Sequence, residues 1–463
     1  MKDTERFIAG HKQEFLDDLL TLLRIPSVSA DPAYKKDVGR AAEYVASRMR
    51  AAGLQKVKIY PTAGHPVVYG ERIVDKKLPT VLVYGHYDVQ PPDPLELWTS
   101  PPFEPVIRKT KEHPDGAVFA RGASDDKGQF MMHVAAVRAM IATGELPCNV
   151  KMIIEGEEEV GSAHLEDFIK THRRLLACDV VLISDTSLMD KKLPSLTVGL
   201  RGLTYFQVEV TGPNRDLHSG IYGGTVANPI NILAGMIARL HDKRRRITIP
   251  GFYDKVRRYS KKEREQINSA PFSETKYKRS IGVAELWGEE NYTPRERTGI
   301  RPSLDVNGIW GGYTGEGAKT VLPSKAYAKI SMRLVPDQSP REVERQFVRY
   351  FKSLAPKSVK VKVTPMHGGE PALTPLDSPE YQAAERAMRR SFGRRVYPVL
   401  EGGSIPIVAL FKKVLKANAI LMGFGLKSDA IHSPNEHFGL WNYFKGIETI
   451  PLFYQEYASS IKN

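Results

Sequence analysis

The sequence predicts an α/β protein. A discontinuous domain with a mostly parallel sheet and helices on both faces is built from both ends of the chain, and an α+β domain is inserted into it. Three observations predict this. The chain has 463 residues, more than one hydrophobic core usually serves. Up to about residue 195, short apolar runs alternate with helical spacing, as when strands are buried between helices. Beyond that point runs alternate in polarity, until the first rhythm returns after about residue 375. The expected domains are residues 1–195 with 372–463, and residues 196–371.

Each element has its own signal. Phe7, Ile8, Phe15, Leu19, Leu20 and Leu23 lie at helical spacing and predict a helix over 3–24, ended near Pro26. A second helix is expected over 39–52, with Gly53 as its stop. Thr80–Tyr84 is apolar and β-branched, a buried strand, followed by a helix over 127–142 and strands over 149–154 and 179–183. In the insertion, Thr197–Val210 alternates as a half-exposed strand, and a helix is expected over 229–241. The stretch 253–300 is crowded with charge and reads as surface helices and loops. Lys325–Leu334 and Val359–Val363 read as strands around a helix near 340–354. The C-terminal part supplies helices over 379–392 and near 405–415, the strand Ala419–Met422 and a last helix from about 438. No internal repeat or low-complexity segment is seen.

Composition narrows the class. With 41% hydrophobic and 26% charged residues the chain reads as globular, not disordered. The net charge of +14 fits a solvated basic surface. Nucleic-acid binding is the rival reading, but Lys243-Arg244-Arg245-Arg246 and Lys261-Lys262-Glu263-Arg264 are short runs without a recognised motif beside them. Two cysteines, Cys148 and Cys178, exclude a disulfide framework or a cysteine-rich metal site. No apolar stretch is long enough to span a bilayer, and the N-terminus lacks a signal-peptide core. A cytoplasmic location is expected, with neither nucleic acid nor membrane as partner.

Chemistry-bearing residues gather just after the predicted strands, where open α/β sheets bind ligands. His86 and Asp88 stand in Gly85-His86-Tyr87-Asp88-Val89; histidine is a common metal ligand, and a carboxylate two residues on can orient it. Asp125, in Arg121-Gly122-Ala123-Ser124-Asp125-Asp126-Lys127-Gly128, opens a helix. It could bridge two cations, or simply cap the helix. Glu155-Gly156-Glu157-Glu158-Glu159 crowds four acids behind a buried strand, where cations would relieve the repulsion and one acid could move a proton. Asp185 follows the next strand, and His432 stands in His432-Ser433-Pro434-Asn435-Glu436. Two histidines with three or more carboxylates suit a two-metal site of nitrogen and oxygen ligands. Neither a phosphate-cradling loop nor a G-x-S-x-G elbow is found.

In order and spacing these motifs resemble the zinc metallopeptidase family that holds aminoacylase, acetylornithine deacetylase, succinyl-diaminopimelate desuccinylase and carnosinase. The likeness runs from Leu23-Arg24-Ile25-Pro26-Ser27-Val28-Ser29 to His432 and is greatest to the carnosinase and cytosolic nonspecific dipeptidase branch. It implies a catalytic domain holding two divalent ions, zinc first, with manganese or cobalt as options, under an inserted lid and dimerisation domain. By the same likeness His86 and Asp185 hold one ion, Glu159 and His432 the other, and Asp125 bridges them. Asp88 positions His86, and Glu158 is the general base. His218, in Asp216-Leu217-His218-Ser219-Gly220, implies an oxyanion donor acting across a homodimer. Arg333 implies a clamp for the substrate carboxylate, with Thr320, His367 and Ser404 as further substrate contacts. The implied reaction is hydrolysis of a dipeptide with a free C-terminus; deacylation of an N-acyl amino acid is the alternative.

Overall fold

Apolar side chains on all sides of the helix Lys127–Ala142 leave nearly all of it buried, and the first compact unit is built around it. The computed structural model describes residues 2–461 apart from Ser404, and Pro406 by its backbone alone. It divides into two units: Met1–Val198 with Thr374–Pro398 and Leu410–Asn463, and Gly199–Leu373 with Val399–Ala409.

The first unit is a mixed sheet with helices. Its strands run in the order Gln55–Tyr60, Val67–Arg72, Asn149–Glu155, Thr80–His86, Val180–Ile183, Asn418–Leu421 and Ser195–Leu200. The four from Asn149–Glu155 to Asn418–Leu421 are parallel. Those outside them pair antiparallel. The parallel strands are the valine- and isoleucine-rich runs and are almost wholly buried, as a sheet covered on both faces requires. Register matters for function. His86 lies opposite Glu155, and Tyr84 opposite Ile183, so three strand ends reach one edge together.

In the second unit, the strands Ser303–Gly311, Lys325–Leu334, Gly202–Thr211 and Lys360–Gly369 form an antiparallel sheet in that order. Phe206, Val208 and Val210 alternate onto one face with Ala328, Ile330 and Met332, and pack with Leu233, Phe347 and Phe351 from the helices Pro229–Ala238 and Pro340–Ser353.

Four differences from the sequence reading have local causes. The first predicted helix is two, Lys2–Gly10 and Lys12–Leu23, because His11 leaves helical geometry and its ring bonds the Phe7 carbonyl at 2.7 Å. The predicted strand Thr197–Val210 is broken at Arg201, whose backbone and side chain donate to the carbonyls of Gly403 and Gly402. Those bonds go with the grouping of Val399–Ala409 in the second unit, where the sequence reading carries the first domain unbroken from 372 to 463. Ser303–Gly311 is a strand with no expectation behind it, since most of it is exposed and it shows no alternation.

Candidate metal centre

Strand ends and one long-range loop assemble the centre. His86 ends its strand fully buried. Gly85 before it has no room for a side chain: a Cβ there would stand 2.6 Å from Phe130 and 2.7 Å from the Asp126 carboxylate. Glu158 and Glu159 follow the Asn149–Glu155 strand on a short 3-10 turn, Glu158–Val160, closed by Gly161 at φ +93°. Asp185 lies two residues beyond Ile183.

Asp125 is the hub. Its Oδ1 lies 3.1 Å from His86 Nε2, and its Oδ2 lies 2.9 Å from His432 Nε2. His86 Nε2 also lies 3.8 Å from Asp185 Oδ2, and His432 Nε2 lies 3.2 Å from Glu159 Oε2. Two triads that could each hold a cation result, His86–Asp125–Asp185 and Asp125–Glu159–His432, with Asp125 common to both. Each offers one imidazole nitrogen and two carboxylate oxygens, a donor set that suits zinc, manganese or cobalt. The residues fit a pair of cations with a shared carboxylate.

Charge favours the same conclusion. Although burial opposes it, the Asp125 and Asp88 carboxylates hold the His86 imidazole well above its ordinary value. Hydrogen bonds to Asp125 and Glu159 push His432 up to about 10. A field that retains protons on two imidazoles also attracts cations, which compete for the same lone pairs. Burial raises the Glu158 carboxyl well above the carboxylate range, and Asp185, Glu159 and Asp125 add repulsion against the pull of His86. A carboxyl so raised binds a proton more readily than an ordinary one, as a general acid–base must.

The supports were largely invisible in the sequence. Asp88, fully buried, accepts the backbone N–H groups of Glu158 and Glu159 and the hydroxyl of Ser29. Its Oδ1 stands 3.4 Å from His86 Nδ1. Glu436, quoted above only as part of a motif, accepts from the backbone N–H groups of Gly122, Ser124 and Asp125 and pairs with buried Arg121 at 2.7 Å. It therefore shapes the loop that presents Asp125. Gln90 donates to Glu159 Oε2 at 2.9 Å. Neither Glu436 nor Gln90 carries a signal that names its partner, since their contacts span 311 and 69 residues.

The remaining expected residues belong to the second unit. His218 is exposed in the short strand Leu217–His218, which pairs with Val321, and its Nδ1 accepts the Gly220 N–H. Thr320 is beside it, its carbonyl accepting the Ser219 N–H at 3.0 Å. His367 is exposed and stacks on Tyr205 with ring centroids 5.1 Å apart. Arg333 pairs with Leu203 and Ser303 across the sheet. Arg201, with no role in the sequence reading, is its electrostatic neighbour: burial first and the like charge of Arg333 second bring Arg201 down to about 10. Two guanidiniums in one neighbourhood attract an anion. Ser404 lies outside the described residues.

Known proteins resemble this chain over nearly its whole length. The Cys-Gly metallodipeptidase of Schizosaccharomyces pombe is 35% identical, covering 97% of this chain and 96% of its own length. The human Beta-Ala-His dipeptidase is 31% identical, covering 98% and 92%. Among solved structures, the M20 family metallo-carboxypeptidase Sso-CP2 of Sulfolobus solfataricus superimposes with a TM-score of 0.85 at 32% identity, over 96% of this chain and 99% of that one. The sequence pattern of peptidase family M20/M25/M40 matches residues 82–456. With its ligand triads, its fold and this similarity, the chain belongs to peptidase family M20/M25/M40, in the branch of the Cys-Gly and Beta-Ala-His dipeptidases.

Proposed function

We propose that this protein hydrolyses dipeptides with a free C-terminal carboxylate, using two divalent cations and Glu158 as general base. The observation that carries the reading is the sharing of Asp125 between two triads, one oxygen toward each histidine. His86 and Asp185 hold one cation, Glu159 and His432 the other, and Asp125 both; zinc is the first choice. Bound there, the pair supplies Lewis acidity and makes water a nucleophile near neutral pH.

The side chains do the rest. Glu158 takes the proton from the attacking water and gives it to the leaving amine, which its raised proton affinity suits. Asp88 holds the His86 ring and the turn carrying Glu158 in one arrangement. Arg333, seconded by Arg201, binds the substrate carboxylate. Thr320, His367 and Ser404 make further substrate contacts. His218 of the partner subunit stabilises the developing oxyanion in a homodimer; one such donor is worth roughly 3–4 kcal/mol. A content of only two cysteines, Cys148 and Cys178, suits a reducing, cytoplasmic setting.

The test is hydrolysis by metal-stripped protein before and after zinc or manganese is returned, on dipeptides, their C-terminal amides, tripeptides and acetyl-amino acids. Restored cleavage of free dipeptides supports the reading. Restoration on tripeptides in preference moves the substrate to longer chains. Restoration on acetyl-amino acids alone replaces it with deacylation.

A further inference from the structure

Outside the site described above, the first unit holds a third group of metal-ligating side chains. One nitrogen each from His113 and His437 and one oxygen of Asp429 lie within 4.8 Å of one another. His113 and Asp429 are fully buried, and His437 half-buried. None of the three is used by the proposed reaction.

Among the described residues, the His113 ring and one oxygen of Asp429 find no hydrogen-bond partner. Both ring nitrogens of His113 are buried and unbonded, and so is Oδ1 of Asp429. The His113 Nε2 to Asp429 Oδ1 separation, 3.7 Å, is too long for a hydrogen bond. Asn442 adds a fourth atom, an unbonded buried Oδ1 beside the same ring: a Cβ on Gly439 would stand 2.2 Å from His113 Nδ1 and 2.5 Å from Asn442 Oδ1. Buried polar atoms are nearly always satisfied, and a buried imidazole nitrogen facing an unbonded carboxylate oxygen at 3.7 Å calls for a partner that both can reach.

The secondary bonds are those of ligands. His437 Nδ1 meets the Asn435 carbonyl at 2.9 Å, so it carries the proton and leaves Nε2 as a bare lone pair. Asp429 Oδ2 accepts the Ser124 hydroxyl and the Leu426 N–H, which fixes the carboxylate and leaves Oδ1 toward His113. Two imidazoles and a carboxylate form a three-residue set for a divalent transition metal such as zinc, with a position left for water.

We propose that His113, Asp429 and His437 bind one further divalent cation per chain, separate from the catalytic pair. Its consequence is local. Asp429 and His437 flank the loop that carries His432, and three of that loop's non-glycine residues, Ala430, His432 and Asn435, have φ of +55° to +64°. A backbone so strained must be held by its surroundings. A cation joining both ends of the loop to His113 holds it and so orders the ligand His432.

The experiment counts zinc. The full chain is saturated with zinc and dialysed, and bound zinc is measured by mass spectrometry for the wild type, His113→Gln and His437→Gln. His437 is half-buried, so its variant is the safer for folding. The expected result is one zinc fewer per chain in each variant, whatever the total at the catalytic ligands, and an anomalous-scattering peak among the three side chains in zinc-loaded wild-type crystals. Equal zinc in wild type and His437→Gln, or a site without anomalous signal beside catalytic ligands that show it, overturns the proposal. A parallel His86→Ala variant loses zinc from the catalytic pair while keeping the difference made by His437→Gln, so the two sites fail or stand separately.

Discussion

Asp88 Oδ2 accepts the backbone N–H of Glu159 at 3.1 Å, although the two residues lie 71 positions apart. The same carboxylate reaches His86 Nδ1 through Oδ1 at 3.4 Å. One buried side chain thus ties a proposed ligand on one parallel strand to the turn carrying another ligand and the proposed base. Asp88→Ala is expected to weaken metal binding by roughly 10- to 100-fold, the usual effect of losing such a support. Zinc titration against a competing chelator measures it, and unchanged affinity would remove Asp88 from its positioning role.

Glu158→Ala should retain its metal and lose turnover. Because the side chain belongs to neither triad, zinc content should equal that of the wild type. A positioned acid–base contributes about 10²- to 10⁴-fold, so kcat should fall at least that far. Retention of most of the wild-type kcat would assign the proton transfers to another group. His86→Ala is the counterpart, expected to lose metal as well as activity.

Glu436→Gln tests the frame beneath Asp125. The Arg121–Glu436 pair is fully buried, and neutralising one partner leaves the other charge uncompensated. Such losses cost about 3–5 kcal/mol. Urea unfolding should show that drop in stability at unchanged m-value. A change under 1 kcal/mol would mean that water reaches Arg121 readily.

Arg333→Ala is expected to raise KM for free dipeptides by at least tenfold with a smaller change in kcat, and to remove discrimination against C-terminal amides. Arg201→Ala should act in the same direction, since its charge reinforces that of Arg333. Steady-state kinetics on matched acid and amide substrates decide this; full retention of discrimination in both variants would place the carboxylate elsewhere.

His133 makes stability depend on pH. Its Nε2 lies 2.8 Å from the Ser184 hydroxyl, which itself donates to the Met422 carbonyl, so the ring must be the donor. Its other nitrogen is buried without a partner, and burial brings the imidazole down to about 3. Below the ordinary value of 6.5 the unfolded chain binds a proton that the native state refuses. Stability is therefore full above that value and declines as pH falls from it toward 3. At 1.36 kcal/mol per unit, this residue accounts for about 2 kcal/mol between pH 7 and pH 5. Urea unfolding of wild type and His133→Gln at both pH values should show that much less pH dependence in the variant; equal dependence would refute the assignment.

Much of the fold was legible because burial on two faces leaves a continuous signal. The helix expected over 127–142 and the strand over 179–183 are found at Lys127–Ala142 and Val180–Ile183. Ser303–Gly311 was not legible, because a strand exposed along most of its length has no burial to pattern it. The same division holds in the centre. His86, Glu159 and Asp185 follow strands whose apolar runs announce them, so local sequence placed them at strand ends. Glu436 resembled any loop glutamate; its role exists only because the fold brings it against residues 122–125.

By itself, then, the sequence determined the inventory of nitrogen and oxygen ligands, the strand ends that bear them, and through motif order a resemblance to one peptidase family. Only the tertiary structure decided that Asp125 faces both His86 and His432, that Asp88 and Glu436 hold the frame, and that Arg201 neighbours Arg333. The physical reason is range. Propensity and periodicity act over a few residues, whereas a shared carboxylate or a buried ion pair forms only when sheet register and loop packing bring distant segments within about 3 Å of each other.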